Sequence, residues 1–232
     1  KGPISDVYFC ESGRTVVTAS YDGQCKAFDI VRGRCFRTFT PPEKVEFAHL
    51  AVDSNFEFVA ACGRGTMSIY LWSAATGNLL EELTGHTMPV SSLNFTPLTK
   101  LVSGSWDHSV RVWDFLDAHS SVAYEAKGEV TDTAISPDGK VVAFSDSNGR
   151  ITFYNLSDDS YIGEVSVSLD AQGGKKLDGD RSSQTTRWFF DSIAFSPDSQ
   201  YIVCGGKTKF ICIYSVRRNG EYQSPLLMRR IQ

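Results

Sequence analysis

Much is scarce in this chain of 232 residues, and each scarcity removes a class of protein. No apolar run approaches the roughly 20 residues that a membrane-spanning helix needs. No helical periodicity lasts beyond a few residues. Six cysteines stand at 10, 25, 35, 62, 204 and 212 without a CxxC pair, and four histidines complete no zinc-ligand spacing. No metal and no other cofactor is expected, and the cysteines read as reduced apolar filler inside strands, which suits cytosol or nucleus. Basic charge is also short. Lys plus Arg total 23 against 27 Asp plus Glu, a formal net charge of −4, so only a local basic patch could grip nucleic acid. The chain opens at Lys1 with neither methionine nor signal peptide, and the expectation is a piece of a longer protein. Two N-glycosylation sequons, at Asn94 and Asn155, carry no meaning without secretion.

What is present is repetition. At 41% hydrophobic and 12% aromatic the chain can bury a core. The segment Leu101 to Asp114, LVSGSWDHSVRVWD, is a β-rich run, a turn, and a second run in which apolar residues alternate. The same layout returns at Val17–Asp29, Val59–Ser73, Val142–Asn155 and Val203–Ser215. Each closes on an aromatic: Phe28, Trp72, Trp113, Tyr154 and Tyr214, spaced 41 to 44 residues apart until a last step of 60. Short apolar runs precede each unit, at Ile4–Phe9, Phe47–Val52, Val90–Phe95, Val130–Ile135 and Phe190–Phe195, and further strands follow several. Turn chemistry such as Ser136-Pro137-Asp138-Gly139 separates them. Four antiparallel strands in about 41 residues, with one insertion, is the pattern of a WD-repeat β-propeller blade. The predicted fold is all-β over 1–232, with blades at roughly 3–40, 44–84, 88–127, 128–167 and 188–232 and an insertion at 168–187. Each unit completes its own set of strands. Five blades are visible where most such rings have seven, so about two more are expected in sequence beyond this piece.

The third unit resembles a WD repeat most fully, through Gly85-His86 and Trp113-Asp114. The resemblance implies one hydrogen-bonded network of His86, Ser103, Asp107 and Trp113 inside the blade. Ser, His and Asp also make a hydrolase triad, but here every member sits at its blade position, and a buried polar network fixes strand register. The other units keep fragments only, including Thr18, Asp22, Cys62, Thr66, Asn148, Cys204 and Thr208.

Beyond the generic repeat, the chain resembles the second propeller of the periodic tryptophan protein 2 family. The matching residues are Lys26-Ala27-Phe28-Asp29, Phe36-Arg37-Thr38-Phe39-Thr40, Leu50-Ala51-Val52-Asp53, Ile69 to Trp72, Thr76 to Leu80, Ser103 to Asp107 and Lys209 to Tyr214. They run in order along nearly the whole chain. The stretch Arg217 to Pro225 departs from the family pattern, with extra polar residues before Leu226-Leu227-Met228. The resemblance implies a non-enzymatic scaffold of ribosome biogenesis in the nucleolus. It would be a component of the small-subunit processome, with partner proteins, U3 snoRNA and pre-ribosomal RNA, supporting ribosomal RNA processing. The alternative is a WD-repeat peptide reader or substrate receptor of another nuclear or cytosolic complex. Neither a membrane nor a small-molecule substrate is expected as a partner.

The insertion is polar and glycine-bearing, and long loops in compact domains are commonly functional or disordered. Lys175, Lys176, Arg181 and Arg187 are its candidate contacts to a partner or to RNA phosphate, diluted by Asp170, Asp178 and Asp180. Leu177 to Asp180 lacks the ligand series and closing Glu of a calcium loop. A second basic group, Arg217, Arg218, Arg229 and Arg230, lies near the chain end.

Overall fold

Alternation of apolar and polar residues with period two, broken by Gly- and Asp-bearing turns, dictates short antiparallel strands. The computed structural model describes residues 2–10, 12–114, 120–171, 188–206, 208–218 and 220–232. Their strands form five four-stranded antiparallel sheets, each from four strands consecutive in sequence, and these are blades of a WD-repeat propeller. Blade 1 holds β1 (Ile4–Phe9), β2 (Thr15–Ser20), β3 (Cys25–Asp29) and β4 (Arg34–Phe39). Blade 2 holds β5 (Phe47–Val52), β6 (Phe58–Gly63), β7 (Ile69–Ser73) and β8 (Leu79–Leu83). Blade 3 holds β9 (Val90–Phe95), β10 (Leu101–Ser105), β11 (Ser109–Asp114) and β12 (Ser120–Glu125). Blade 4 holds β13 (Val130–Ile135), β14 (Val141–Asp146), β15 (Arg150–Asn155) and β16 (Tyr161–Ser166). Blade 5 holds β17 (Ser192–Phe195), β18 (Tyr201–Gly205), β19 (Ile211–Arg218) and β20 (Glu221–Ile231). A one-turn helix, α1 (Ser168–Ala171), follows β16. The last apolar run forms strand only from Ser192 onward, later than its hydrophobicity suggests.

The chain divides into two compact units, Lys1–Asp107 with Arg111–Val122, and His108–Val110 with Ala123–Gln232. In the first, one core packs Val17, Ala27, Phe39, Phe47, Val59, Ala61 and Trp72 between blades 1 and 2. A second packs Ala60, Cys62, Ile69, Leu71, Leu93, Leu101 and Trp113 between blades 2 and 3. Blade 2 is thus covered on both faces, so β6 reads Val-Ala-Ala-Cys-Gly with every one of those residues buried. In the second unit Val141, Ala143, Phe153, Phe190, Ile202, Cys204 and Tyr214 share one core.

Bulges at the start of the first strand position a two-point clamp between neighbouring sheets. In blade 1 the bulge between Ile4 and Asp6 turns Ser5 toward blade 2, and its Oγ donates to the Phe47 carbonyl at 2.6 Å. The next residue, Asp6, accepts the Leu50 N–H at 2.9 Å. Blade 4 repeats both bonds onto blade 5: Thr131 Oγ1 donates to the Phe190 carbonyl at 3.0 Å, and Asp132 accepts the Ile193 N–H at 2.9 Å. The spans are 42 and 44 residues in the first clamp and 59 and 61 in the second. Both lengthen together, so the insertion enters between blades without disturbing the clamp. Gly149 makes room for its return. It has φ +72, and a Cβ there would lie 2.5 Å from the Trp188 carbonyl oxygen. Asp132→Ala is expected to cost about 1–3 kcal/mol, because it strands a partly buried N–H between sheets. The shift in urea midpoint between the two proteins measures it.

The polar tail of blade 5 does not weaken its outer strand. β20 runs eleven residues along β19, and its extra length reaches blade 4. Tyr222 donates to Asp138 at 2.8 Å, Arg217 pairs with the same carboxylate at 3.2 Å, and the guanidinium lies 4.6 Å over the Tyr222 ring. Ser224 packs where a side chain on Gly163 would otherwise stand.

Five of the six cysteines are buried, but Cys35 is exposed on β4, where filler was expected. Its strand lies at the edge of blade 1, so its outward position meets solvent. Burial pushes the Cys10 thiol up to about 11 and Cys62 to about 12, which keeps both protonated.

Candidate functional site

The four residues of the WD-repeat network meet at the base of blade 3. Trp113 enters from β11, Ser103 from β10, Asp107 from the turn between them, and His86 from the connection before β9. Trp113 Nε1 donates to Ser103 Oγ at 2.8 Å. Ser103 Oγ lies 2.7 Å from His86 Nε2, and His86 Nδ1 lies 2.8 Å from Asp107 Oδ2. The carboxylate can only accept, so Nδ1 carries the proton and Nε2 accepts the hydrogen bond donated by the Ser103 hydroxyl. The chain of donation therefore runs Trp113, Ser103, His86, Asp107. Asp107 also accepts the Thr87 N–H at 3.0 Å, while Ser105 Oγ accepts the Asp107 N–H at 3.1 Å.

This geometry holds strands together and does not prepare a nucleophile. Ser103 has 0% exposure and its oxygen is occupied on both sides, so a substrate carbonyl has no approach to it. Among the described residues no cluster of three or more His, Cys, Asp or Glu could hold a metal.

Burial lowers the His86 pKa below its ordinary value, with the Asp107 hydrogen bond opposing. Burial lowers His49 in the same way. On acidification the unfolded chain therefore takes up protons first. The stability these neutral histidines confer is complete above the unfolded value of about 6.5 and is lost as pH falls from there toward the folded values. Urea midpoints recorded between about pH 7.5 and pH 5.5 should fall with pH, and His86→Gln should flatten the slope.

The other blades solve the same problem with different chemistry. At the place of Ser103, blade 2 has Ala61, and the Trp72 indole instead donates to the Thr40 carbonyl at 3.4 Å. Blade 4 has Phe144, whose ring stacks on Tyr154 at 6.0 Å and 11°. Tyr124 also stacks on Tyr154, at 4.6 Å. In blade 5 the Tyr214 hydroxyl donates to Asp170 at 2.8 Å, and Arg230 holds the second carboxylate oxygen at 2.9 Å. Burial, followed by that carboxylate, drives the Tyr214 pKa far up.

Asp170 is thus a correction to its reading as a diluting charge in a loop. It sits on α1, with Val167 and Ala171 buried beside it, as the anchor where the insertion begins. Arg217 and Arg230 are likewise engaged, with Asp138 and Asp170, instead of forming a free basic group with Arg218 and Arg229. Lys175, Lys176, Arg181 and Arg187 lie outside the described residues. The clamp residues Asp6 and Asp132 went unrecognised in the sequence, although Ser5-Asp6 and Thr131-Asp132 repeat a hydroxyl–aspartate pair at one blade position.

A family model described as "WD domain, G-beta repeat" matches residues 1–29, 77–114 and 186–215. The chain is 36% identical over 222 residues to the periodic tryptophan protein 2 homolog of Dictyostelium discoideum, covering 93% of this chain and 24% of that protein. It is 35% identical to the homolog of Caenorhabditis elegans, with coverage of 92% and 23%. It is 36% identical to periodic tryptophan protein 2 of Saccharomyces cerevisiae, with coverage of 90% and 28%. The chain therefore spans about a quarter of the length of these curated relatives.

Proposed function

Because the chain belongs to the periodic tryptophan protein 2 family over the portion it spans, we infer that it forms part of a non-enzymatic scaffold in ribosome biogenesis. The observation that carries this is identity of about a third along more than nine-tenths of the chain, far beyond the repeat consensus alone. In this reading the protein works in the nucleolus as a component of the small-subunit processome. It assembles with other processome proteins, U3 snoRNA and pre-ribosomal RNA, and it supports ribosomal RNA processing. The polar groups of blade 3 are consumed in holding strands, which suits a protein whose task is to present surfaces. Lys175, Lys176, Arg181 and Arg187 are proposed as contacts of the insertion with a partner or with RNA phosphate.

The test is affinity purification of the tagged full-length protein from nuclear extract, with bound proteins and RNA identified. Recovery of processome proteins, U3 snoRNA and unprocessed pre-ribosomal RNA is expected. A reproducible set of ubiquitin-ligase or chromatin partners without ribosomal precursor would sink the reading in favour of a substrate receptor.

A further inference from the structure

One corner of blade 1 differs from the same corner of its neighbours. In blades 1, 2 and 4 the residue after the third strand, and in blade 5 Val216 within the longer β19, donates its N–H to the turn between the first two strands. These bonds are Ile30 to Arg14 at 2.9 Å, Ala74 to Glu57 at 2.8 Å, Leu156 to Lys140 at 2.7 Å and Val216 to Gln200 at 2.9 Å. In blades 1, 2 and 4 the bond sets two turns side by side at one end of the sheet. Ala74 and Val216 are buried there, at 1% and 2% exposure. Ile30 is 43% exposed and the adjoining Val31 is 77% exposed, the highest value among the exposed large hydrophobics of the described residues.

Three exposed arginines stand close to that apolar pair along the chain or across the bond: Arg14 in one turn, Arg32 in the other, and Arg34 at the start of β4. The facing acid is Asp29, whose carboxylate caps the Arg32 N–H at 3.0 Å and lies 3.7 Å from its guanidinium. A pair that open to solvent holds its partner weakly. Glu11 lies outside the described residues. The corresponding corner of blade 2 carries Glu57, that of blade 4 carries Lys140 with Asp138, Asp158 and Asp159, and that of blade 5 carries Asp198 with Arg217 and Arg218, of which Arg217 is held by Asp138. In a chain of net charge −4, blade 1 thus sets three exposed arginines beside bare aliphatic surface, whereas Val216 at the blade 5 corner is buried.

We propose that this corner is a docking site for a short acidic segment of a partner protein, one that sets an aliphatic side chain among its carboxylates. Guanidinium groups donate two parallel hydrogen bonds to a carboxylate. Ile30 and Val31 cover the aliphatic anchor. Nucleic acid fits less well, because binding single strands relies on aromatic faces for stacking bases. Ile30 and Val31 offer none, and the ring of Phe36 nearby is engaged edge-on with Phe56 at 6.1 Å. This inference extends beyond the scaffold reading and does not depend on which assembly the protein joins.

A random-peptide display selection on the immobilised full-length protein tests it. Enriched peptides should combine Asp or Glu with Leu, Ile or Val. The triple variant Arg14→Glu, Arg32→Glu, Arg34→Glu should weaken the best peptide by at least about tenfold. Val31→Asp should do the same, while Val31→Ile retains binding. All four positions are exposed, so an unchanged melting temperature certifies that each variant is folded. The proposal is overturned by selection without enrichment, or by peptides that bind the triple variant equally. It is also overturned if the triple variant loses only binding to a short oligouridine RNA.

Discussion

Trp72→Ala is expected to remove about 3–5 kcal/mol of stability, the largest loss from any single truncation in blades 1 and 2. The side chain is fully buried and lies among three rings: Phe47 at 5.7 Å, Tyr70 at 5.9 Å and Phe39 at 6.1 Å. Truncation opens a cavity that two sheets cannot both collapse into, since Phe39 belongs to blade 1 and Phe47 to blade 2. It also strands the Thr40 carbonyl, which accepts the indole N–H. Trp72→Phe should cost less, because most of the packing survives and one weak hydrogen bond is lost. Urea unfolding followed by circular dichroism reads both effects as midpoint shifts at constant slope. A loss under about 1 kcal/mol for Trp72→Ala would show that the shared core of blades 1 and 2 is not what holds them.

Ser103→Ala is expected to cost about 2–5 kcal/mol although it deletes a single oxygen. That oxygen accepts the Trp113 N–H, and its hydroxyl donates to His86 Nε2. Its removal leaves two buried polar atoms unpaired, each worth about 1–3 kcal/mol. The charged end of the network would remain, with Asp107 still bound to His86 and to the Thr87 N–H. A double-mutant cycle with His86→Leu separates the two halves. If the network acts as one unit, the double variant loses clearly less than the two single losses together, because each change already spoils what the other removes. Strict additivity would mean independent bonds, and the network would not be a register-setting device.

The same comparison explains why only one blade shows its polar network in the sequence. In blade 3 the four members occupy repeat positions, so their types and spacing suffice to bring them together. Blade 5 replaces the His–Ser–Asp arrangement by Asp170, which reaches Tyr214 from 44 residues before it, and by Arg230 on the facing strand, which holds that carboxylate. No repeat position marks Asp170, because it stands on a helical turn that belongs to the insertion. The exposed apolar pair Ile30-Val31 is equally silent in sequence. Its counterparts Ala74 and Val216 are buried, and what covers a turn is decided by neighbouring loops.

By itself the sequence determined the all-β class, the repeat period, the five closing aromatics and nearly every strand, since period-two alternation and turn residues act within a few positions along the chain. It also carried the family, because similarity is a property of order. Only the tertiary structure decided the partners of Asp6, Asp132 and Asp170, the reach of β20 onto Asp138, and the exposure of Cys35 and Val31. Each of these depends on which surfaces meet when sheets stack about 10 Å apart, and residues tens of positions distant in the chain then compete for the same space.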